Sequence, residues 1–222
     1  MQTIILSAGK SSRIKEEGFP YQKCMLPMPD GKTMLEWQVK WLRPEKLLYI
    51  SREEYHSTEA GLIKKLRMTI PNFTSVWIQH RTRGPLDGLW QARNFILKDE
   101  ELLIVYNDEL IAPEVLDEMI ERSRRYNYPA AIAAFLTQNT RFTDVPGSDL
   151  SAGCTYYFAN GGEFLKRLRR AEKGEKNGVP DIVYSFRNRL YFQVPTDKII
   201  EVGTAREYRL WMAQMGSPVE EW

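Results

Sequence analysis

Short runs rich in Ile, Val, Leu and aromatic residues recur through the first two thirds of the chain, each followed by a segment of helical period. This alternation constrains the fold more than any other feature. The runs are Thr3–Ser7, Leu47–Ser51, Ser75–Gln79, Leu102–Tyr106 and Ala130–Phe135. Between them the apolar spacing predicts helices over Thr33–Leu42, Ser57–Met68, Pro85–Leu97 and Pro113–Tyr126. Strands that alternate with helices form mostly parallel sheets, because each crossover lays a helix on a sheet face. The expected fold is therefore α/β and Rossmann-like, with helices on both faces of the sheet. Later in the chain, Gly153–Phe158 and Leu190–Val194 read as strands, and Gly162–Glu172 and Thr204–Met215 as helices. The polar stretch Thr137–Leu150, with Pro146 and Gly147, reads as a loop. No linker-like segment divides the chain, so residues 1–222 are expected to form one domain.

The bulk properties exclude several functions. A hydrophobic content of 43% with 27% charged residues is that of a globular protein able to bury a core. The 31 basic and 29 acidic side chains leave a net charge of +2, without the basic excess of a dedicated nucleic-acid binder. Cys24 and Cys154 are far apart and in no metal-ligand spacing, which suits reduced thiols in a cytoplasmic protein. The longest apolar runs, such as Thr3–Leu6 and Pro129–Leu136, fall well short of the ~20 residues that a membrane span needs. The first residues run straight into a strand without a charged leader, so no signal peptide is expected. A cytoplasmic protein without a membrane or nucleic-acid partner follows, with homo-oligomerisation left open.

In open parallel sheets, ligands bind beyond the carboxyl ends of the strands. That rule draws attention to Ala8–Gly9, Gln79–His80 and Asn107–Asp108. The first of these opens the stretch Leu6-Ser7-Ala8-Gly9-Lys10-Ser11-Ser12-Arg13, with Lys23 shortly after. Small residues after a buried strand let backbone amides approach a ligand and cradle anionic oxygens. Lys10, Arg13 and Lys23 add positive charge, and an arginine can grip phosphate with two bonds. The unit suits a nucleoside triphosphate. It is not a Walker A loop, since Ile4 stands where that motif needs its first glycine, and the dinucleotide Gly-x-Gly-x-x-Gly pattern is absent. On these residues alone, a phosphate loop and an ordinary strand-to-helix turn with solvated lysines remain equally open.

Five stretches together resemble the sugar-phosphate nucleotidylyltransferases. They are the small-residue loop ending in Arg13, then Lys23-Cys24-Met25-Leu26-Pro27, then Pro29–Glu36 leading into a helix, then Gln79 with Gly84–Ala92, and then Leu103–Asp108. Ile200–Tyr208 is similar to that family's Asp-x-Gly-Thr-Pro-x-x-Tyr element, and Asp149–Phe158 to its Asn-Ala-Gly strand. The resemblance implies a GT-A-type, mostly parallel mixed sheet. It also implies a nucleotide-binding part near residues 1–136 and an acceptor-binding part near 137–222. The implied activity is Mg²⁺-dependent transfer of a nucleoside monophosphate from a nucleoside triphosphate to a phosphorylated small molecule, a sugar 1-phosphate above all.

By the same resemblance, Arg13 and Lys23 are the catalytic cations. Leu6, Ala8, Gly9, Lys10, Ser11, Ser12, Gln79, Gly84, Gly88 and Asp108 bind the nucleotide. Asp108 and Glu201 hold the metal, with Asp197 as an alternative to Glu201. Arg141, Gly153 and Thr204 bind the acceptor. The chain departs from the family in two places: Glu201 replaces the usual aspartate, and the family's Glu-Lys-Pro element is missing, with Thr137–Phe142 in its place. Two other readings follow from those departures and from the shared fold. One is a small cytidylyltransferase acting on a non-sugar phosphate such as phosphocholine, and the other is a GT-A glycosyltransferase. A nucleotide-sensing module without turnover is a fourth.

Overall fold

The predicted strands assemble into one seven-stranded sheet. The computed structural model of the chain describes residues 1–19, 22–79, 82–137, 144–172, 174 and 178–216. Its strands are β1 (Gln2–Leu6), β2 (Lys46–Arg52), β3 (Asn72–Ile78), β4 (Leu102–Tyr106), β5 (Glu109–Ile111), β6 (Ala130–Phe135), β7 (Ser151–Phe158), β8 (Leu190–Gln193) and β9 (Ile199–Glu201). The large sheet has the order β3-β2-β1-β4-β7-β6-β8. Every neighbouring pair is parallel except those made by β7, which runs antiparallel to both β4 and β6. The central β1 is flanked on both sides and covered on both faces, which is why its sequence is a continuous apolar run rather than an alternating one.

The helices are α1 (Ser12–Glu16), α2 (Met34–Leu42), α3 (His56–Thr69), α4 (Pro85–Gln91), α5 (Pro113–Arg125), α6 (Gly161–Glu172), α7 (Val179–Tyr184) and α8 (Ala205–Gln214). One face of the sheet carries α4, α6 and α7 through Leu86, Leu89, Phe164, Leu168 and Ile182. The other carries α2, α3 and α5 through Leu35, Ile63, Leu66, Leu116 and Met119. A third cluster joins Ile14 of α1 and Met34 of α2 to Tyr208 and Met212 of α8. α2 starts with a capping box, in which Glu36 N–H donates to Thr33 Oγ1 (3.2 Å) and Thr33 N–H donates to Glu36 Oε2 (2.8 Å).

Three features differ from the sequence expectation. The helix expected over Pro85–Leu97 stops at Gln91 and gives way to a 3₁₀ turn at Arg93–Phe95. Tertiary contacts end it: the Gln2 side chain accepts from Leu97 N–H and donates to the Phe95 carbonyl, both at 2.9 Å. The short helices α1 and α7 had no predicted counterpart. Nor did the antiparallel pair β5–β9, whose register is Glu109↔Glu201, Leu110↔Ile200 and Ile111↔Ile199.

Candidate active site

The loop after β1 turns sharply because Ser11 adopts a left-handed conformation (φ 53°, ψ 27°) at the start of α1. Such a turn presents successive backbone N–H groups on one side, which makes a concavity for anions. Two contacts steady it: Lys23 N–H donates to Ser11 Oγ (3.2 Å), and the Tyr55 hydroxyl donates to the Lys10 carbonyl (3.2 Å). Lys23 belongs to a 3₁₀ turn, Lys23–Met25, anchored from beneath by the buried Cys24. The Cys24 thiol lies 3.3 Å from Glu59, whose carboxylate also accepts from the Tyr49 and Ser51 hydroxyls (2.9 and 3.2 Å). Burial pushes the Glu59 carboxyl above the usual carboxylate range.

Facing this loop is the turn from β4 into β5. Gln38 of α2 donates through Nε2 to the carbonyls of Tyr106 (2.6 Å) and Glu109 (3.0 Å), and Asn107 Nδ2 donates to Ser7 Oγ (2.7 Å). The turn presents Asp108, whose Oδ2 lies 2.7 Å from Lys23 Nζ. Asp108 Oδ1 is buried and has no hydrogen-bond partner among the described residues. Behind it, Glu109 is buried and accepts from Cys154 N–H and the Thr155 hydroxyl, both at 2.7 Å. Burial pushes the Glu109 carboxyl up to about 7, with the Asp108 charge adding to the effect against the lowering pull of those two bonds.

Loop and turn enclose a cleft of about 510 Å³, within the range of small-molecule sites. Of the expected residues, Leu6, Ala8, Gly9, Lys10, Ser11, Ser12, Arg13, Lys23, Gly84 and Asp108 line it. The cations Lys10, Arg13, Lys23 and Arg52 converge there around Asp108, in a chain whose net charge is only +2. This local imbalance suits a polyanion.

Other expected residues lie elsewhere. Gly88 packs α4 onto the sheet, since a Cβ there would meet Ile78 Cδ1 at 3.3 Å and Leu6 Cδ1 at 3.4 Å; it is a spacer in the core, one helical turn past the cleft-lining Gly84. Gln79 is exposed past the end of β3, outside the cleft lining. Thr204 caps α8: its Oγ1 accepts from Glu207 N–H (3.2 Å), and Glu207 Oε2 accepts from Gly203 and Thr204 N–H (3.0 and 2.9 Å). At Gly153 the space of a side chain is filled by Glu109 Oε2 and the Ala133 carbonyl, each 3.0 Å from where a Cβ would stand. Arg141 lies outside the described residues.

Of the two candidates for the second acidic position, the β5–β9 register brings Glu201 nearer to Asp108 than Asp197. Val202 N–H donates to the Asp108 carbonyl (2.8 Å), so position 201 is next to Asp108. The exposed Asp197 is at the far end of that ladder, where Ala112 N–H meets the Lys198 carbonyl (2.9 Å), roughly 10 Å or more along the strand. Among the described residues, no group of three or more His, Cys, Asp or Glu gathers as a ready-made metal cage.

Sequence reasoning missed Arg52, Thr82, Pro85 and Tyr106 in the lining. Arg52 carried a readable signal, for it ends β2, and the strand-end rule applied to β1, β3 and β4 applies there equally. Its guanidinium is held by Glu54 (Nε to Oε1, 2.8 Å), which fixes the donor fork at the cleft wall.

Comparison with known proteins agrees with this geometry. The profile of the MobA-like NTP transferase domain family matches residues 3–185, and the chain belongs to that family. It is similar to the bifunctional protein GlmU of Thermotoga petrophila, 24% identical across 96% of this chain and 51% of that protein. With GlmU of Thermotoga sp. it shares 30% identity over 56% of this chain and 26% of that one. The chain spans about half the length, or less, of these curated relatives. Among solved structures, a nucleoside-diphosphate-sugar pyrophosphorylase from Vibrio cholerae superposes with a TM-score of 0.73 at 18% identity, over 96% of this chain and 100% of that one. A 4-diphosphocytidyl-2C-methyl-D-erythritol synthase from Anaerococcus prevotii superposes with a TM-score of 0.71 at 13% identity, over 97% and 95%. At these identities the likeness is one of fold. No described helix is long and apolar enough to cross a membrane.

Proposed function

We propose that this MobA-like NTP transferase moves a nucleoside monophosphate from a nucleoside triphosphate onto a sugar 1-phosphate, releasing pyrophosphate and forming an NDP-sugar. The observation that carries the reading is the convergence of Lys10, Arg13 and Lys23 on one cleft, with Lys23 paired to Asp108 across it.

A phosphate monoester has its second pKa near ~6, so the acceptor is already a nucleophilic dianion near neutral pH and no general base is needed. One of its oxygens forms a bond to the α-phosphorus, and the bond from that phosphorus to the bridging oxygen of pyrophosphate breaks. Two anions must approach each other, so positioned cations supply the catalysis. Arg13 grips the triphosphate and then the departing pyrophosphate. Lys23 sits between the α-phosphate and the incoming phosphate.

Asp108, through its buried Oδ1, and Glu201 of the neighbouring strand β9 would be the residues to hold Mg²⁺, an ion that takes carboxylate and phosphate oxygens. When bound, the ion neutralises charge on the phosphates and aligns them. On this reading the nucleotide base would extend from Leu6 and Ala8 toward Arg52 and Thr82, which line the cleft, and the acceptor would lie on the β7 side of Asp108, where Gly153 stands.

The test is pyrophosphate release with each of the common nucleoside triphosphates against a panel of sugar 1-phosphates, phosphocholine and inorganic phosphate, with and without a chelator. Turnover with a sugar 1-phosphate that the chelator abolishes is the expected result. Turnover with phosphocholine alone overturns the sugar assignment, and no turnover or triphosphate binding across the panel overturns the reading altogether.

A further inference from the structure

The β4–β7 ladder ends early. Its last pair is Val105↔Thr155; Tyr106 is still paired with Leu6 of β1, and the chain then enters the turn that carries Asp108. No residue after Val105 is registered against β7. The next link between turn and strand is a side chain: Glu109 Oε2 accepts from Cys154 N–H and Oε1 from the Thr155 hydroxyl, both at 2.7 Å. On its other side the turn is tied to α2 by the two Gln38 bonds to the Tyr106 and Glu109 carbonyls.

A carboxylate is a costly way to make that link. Glu109 is only 2% exposed, and burying an ionisable group with no cationic partner opposes folding. Its place is also specific, because the carboxylate occupies the space a side chain at position 153 would need. The absent side chain at Gly153 and the carboxylate at Glu109 are one fitted unit.

We infer that Glu109 is a positioning residue, which uses both carboxylate oxygens to dock the Asp108 turn onto β7 and so sets the spacing between the phosphate-gripping side of the site and its acceptor side. The inference rests on the roles proposed above for Asp108 and β7. Glu109 touches no reacting atom; it acts through Asp108 on one side and through residues 153–155 on the other. Cys154 N–H and the Thr155 hydroxyl stand where the ladder stops, and each meets one oxygen of Glu109.

The test uses the full chain with Glu109→Gln and Thr155→Val. Gln offers one acceptor oxygen where two are used and sets an N–H against a donor. Val removes the hydroxyl donor at nearly constant shape. With the triphosphate and acceptor that support turnover, kcat is expected to fall at least ten-fold in Glu109→Gln and several-fold in Thr155→Val, while KM for the triphosphate stays within two-fold. Crystal structures of both variants are expected to show the Asp108 turn displaced from β7. If only the thermal midpoint falls and kcat stays within two-fold, or if the turn does not move, the inference is overturned. Should the unmodified chain turn over nothing, the functional reading fails by itself. The crystal structures then decide on Glu109 alone: a displaced turn supports its docking role and an unmoved turn refutes it. If Glu109→Gln does not fold, Thr155→Val carries both readouts.

Discussion

The Lys23 ammonium lies 2.7 Å from Asp108 Oδ2 across the mouth of the cleft, joining two residues that follow the adjacent strands β1 and β4 and lie 85 positions apart in the chain. Both are only partly exposed, at 14% and 21% of their side-chain surface, so the pair is shielded from water more than a surface ion pair. A lysine held there is in place at the cleft before any ligand arrives, and the other oxygen of its partner, Oδ1, is buried without a hydrogen-bond partner among the described residues.

Replacing Lys23 by Ala should therefore affect chemistry more than folding. Loss of one cation that stabilises developing charge costs on the order of 10² to 10³ in kcat. Loss of a partly exposed ion pair costs about 1 kcal/mol of stability. Pyrophosphate release together with a thermal melt checks this. A variant that retains near-normal turnover removes Lys23 from the proposed mechanism.

Thr204 distinguishes a cap from a ligand contact. Its hydroxyl accepts from Glu207 N–H in a complete capping box, so Thr204→Ala should cost about 1 kcal/mol in urea unfolding. The kcat and the KM for the acceptor should stay within about two-fold of the parent, since the hydroxyl is already committed to the helix. A ten-fold rise in acceptor KM would restore the acceptor-binding role that the sequence motif implied.

Three glycines should respond to alanine in a definite order. At Gly161 a Cβ would stand 2.0 Å from the Leu97 carbonyl oxygen, so Gly161→Ala forces backbone apart and should cost about 3 kcal/mol or more. At Gly153 the nearest atoms are 3.0 Å away, and one of them is the Glu109 carboxylate, for a cost of about 1–3 kcal/mol. At Gly9 nothing lies within 4 Å, so stability should stay within about 0.5 kcal/mol. The new methyl at Gly9 enters the phosphate cradle, however, and KM for the triphosphate should rise. Denaturant unfolding ranks the three; a Gly9→Ala variant less stable than Gly153→Ala would contradict the packing.

Two carboxylates should bend the pH dependence of stability in opposite directions. The Arg124 guanidinium, which reaches Glu101 at 2.9 and 2.6 Å, and the Tyr157 hydroxyl at 2.7 Å hold its carboxyl below the ordinary value of 4.5. The folded state therefore binds fewer protons than the unfolded state in that range. Glu101's contribution is present above pH 4.5 and is lost as pH falls through the folded value. Glu59 has the reverse sign, because burial raises its carboxyl. Stability is highest with respect to Glu59 below 4.5 and declines as pH climbs through its folded value. Thermal midpoints from about pH 3 to 8 should show a flatter acid limb in Glu101→Gln and a smaller decline above pH 4.5 in Glu59→Gln. Parallel curves for all three proteins would refute both assignments.

The parallel sheet was readable because its strands are buried on both faces, which leaves unbroken apolar runs such as Thr3–Leu6 and Leu102–Val105. The cationic loop that lines the cleft was readable because its components lie close together in sequence, from Leu6 to Lys23. Elements with weak local signals were not readable. β5 and β9 are three residues each and exist because they pair with each other. α1 and α7 are too short to show helical period. At Gly88 and Thr204 the structure adds what a motif cannot say: a motif names a residue type, and the same type packs a helix closely or caps one where the neighbours require it.

Local pattern alone determined the class of sheet, the order of its main elements and the cationic loop that could meet a triphosphate. Those properties follow from hydrophobic period and from side chains within a few residues of one another. Only the tertiary structure decided that Asp108 faces Lys23, that position 201 rather than 197 stands beside Asp108, and that Glu109 ties the Asp108 turn to β7. Each is a meeting of segments distant in sequence. Strand register and side-chain reach settle such meetings, and neither leaves a mark in the spacing of residues along the chain.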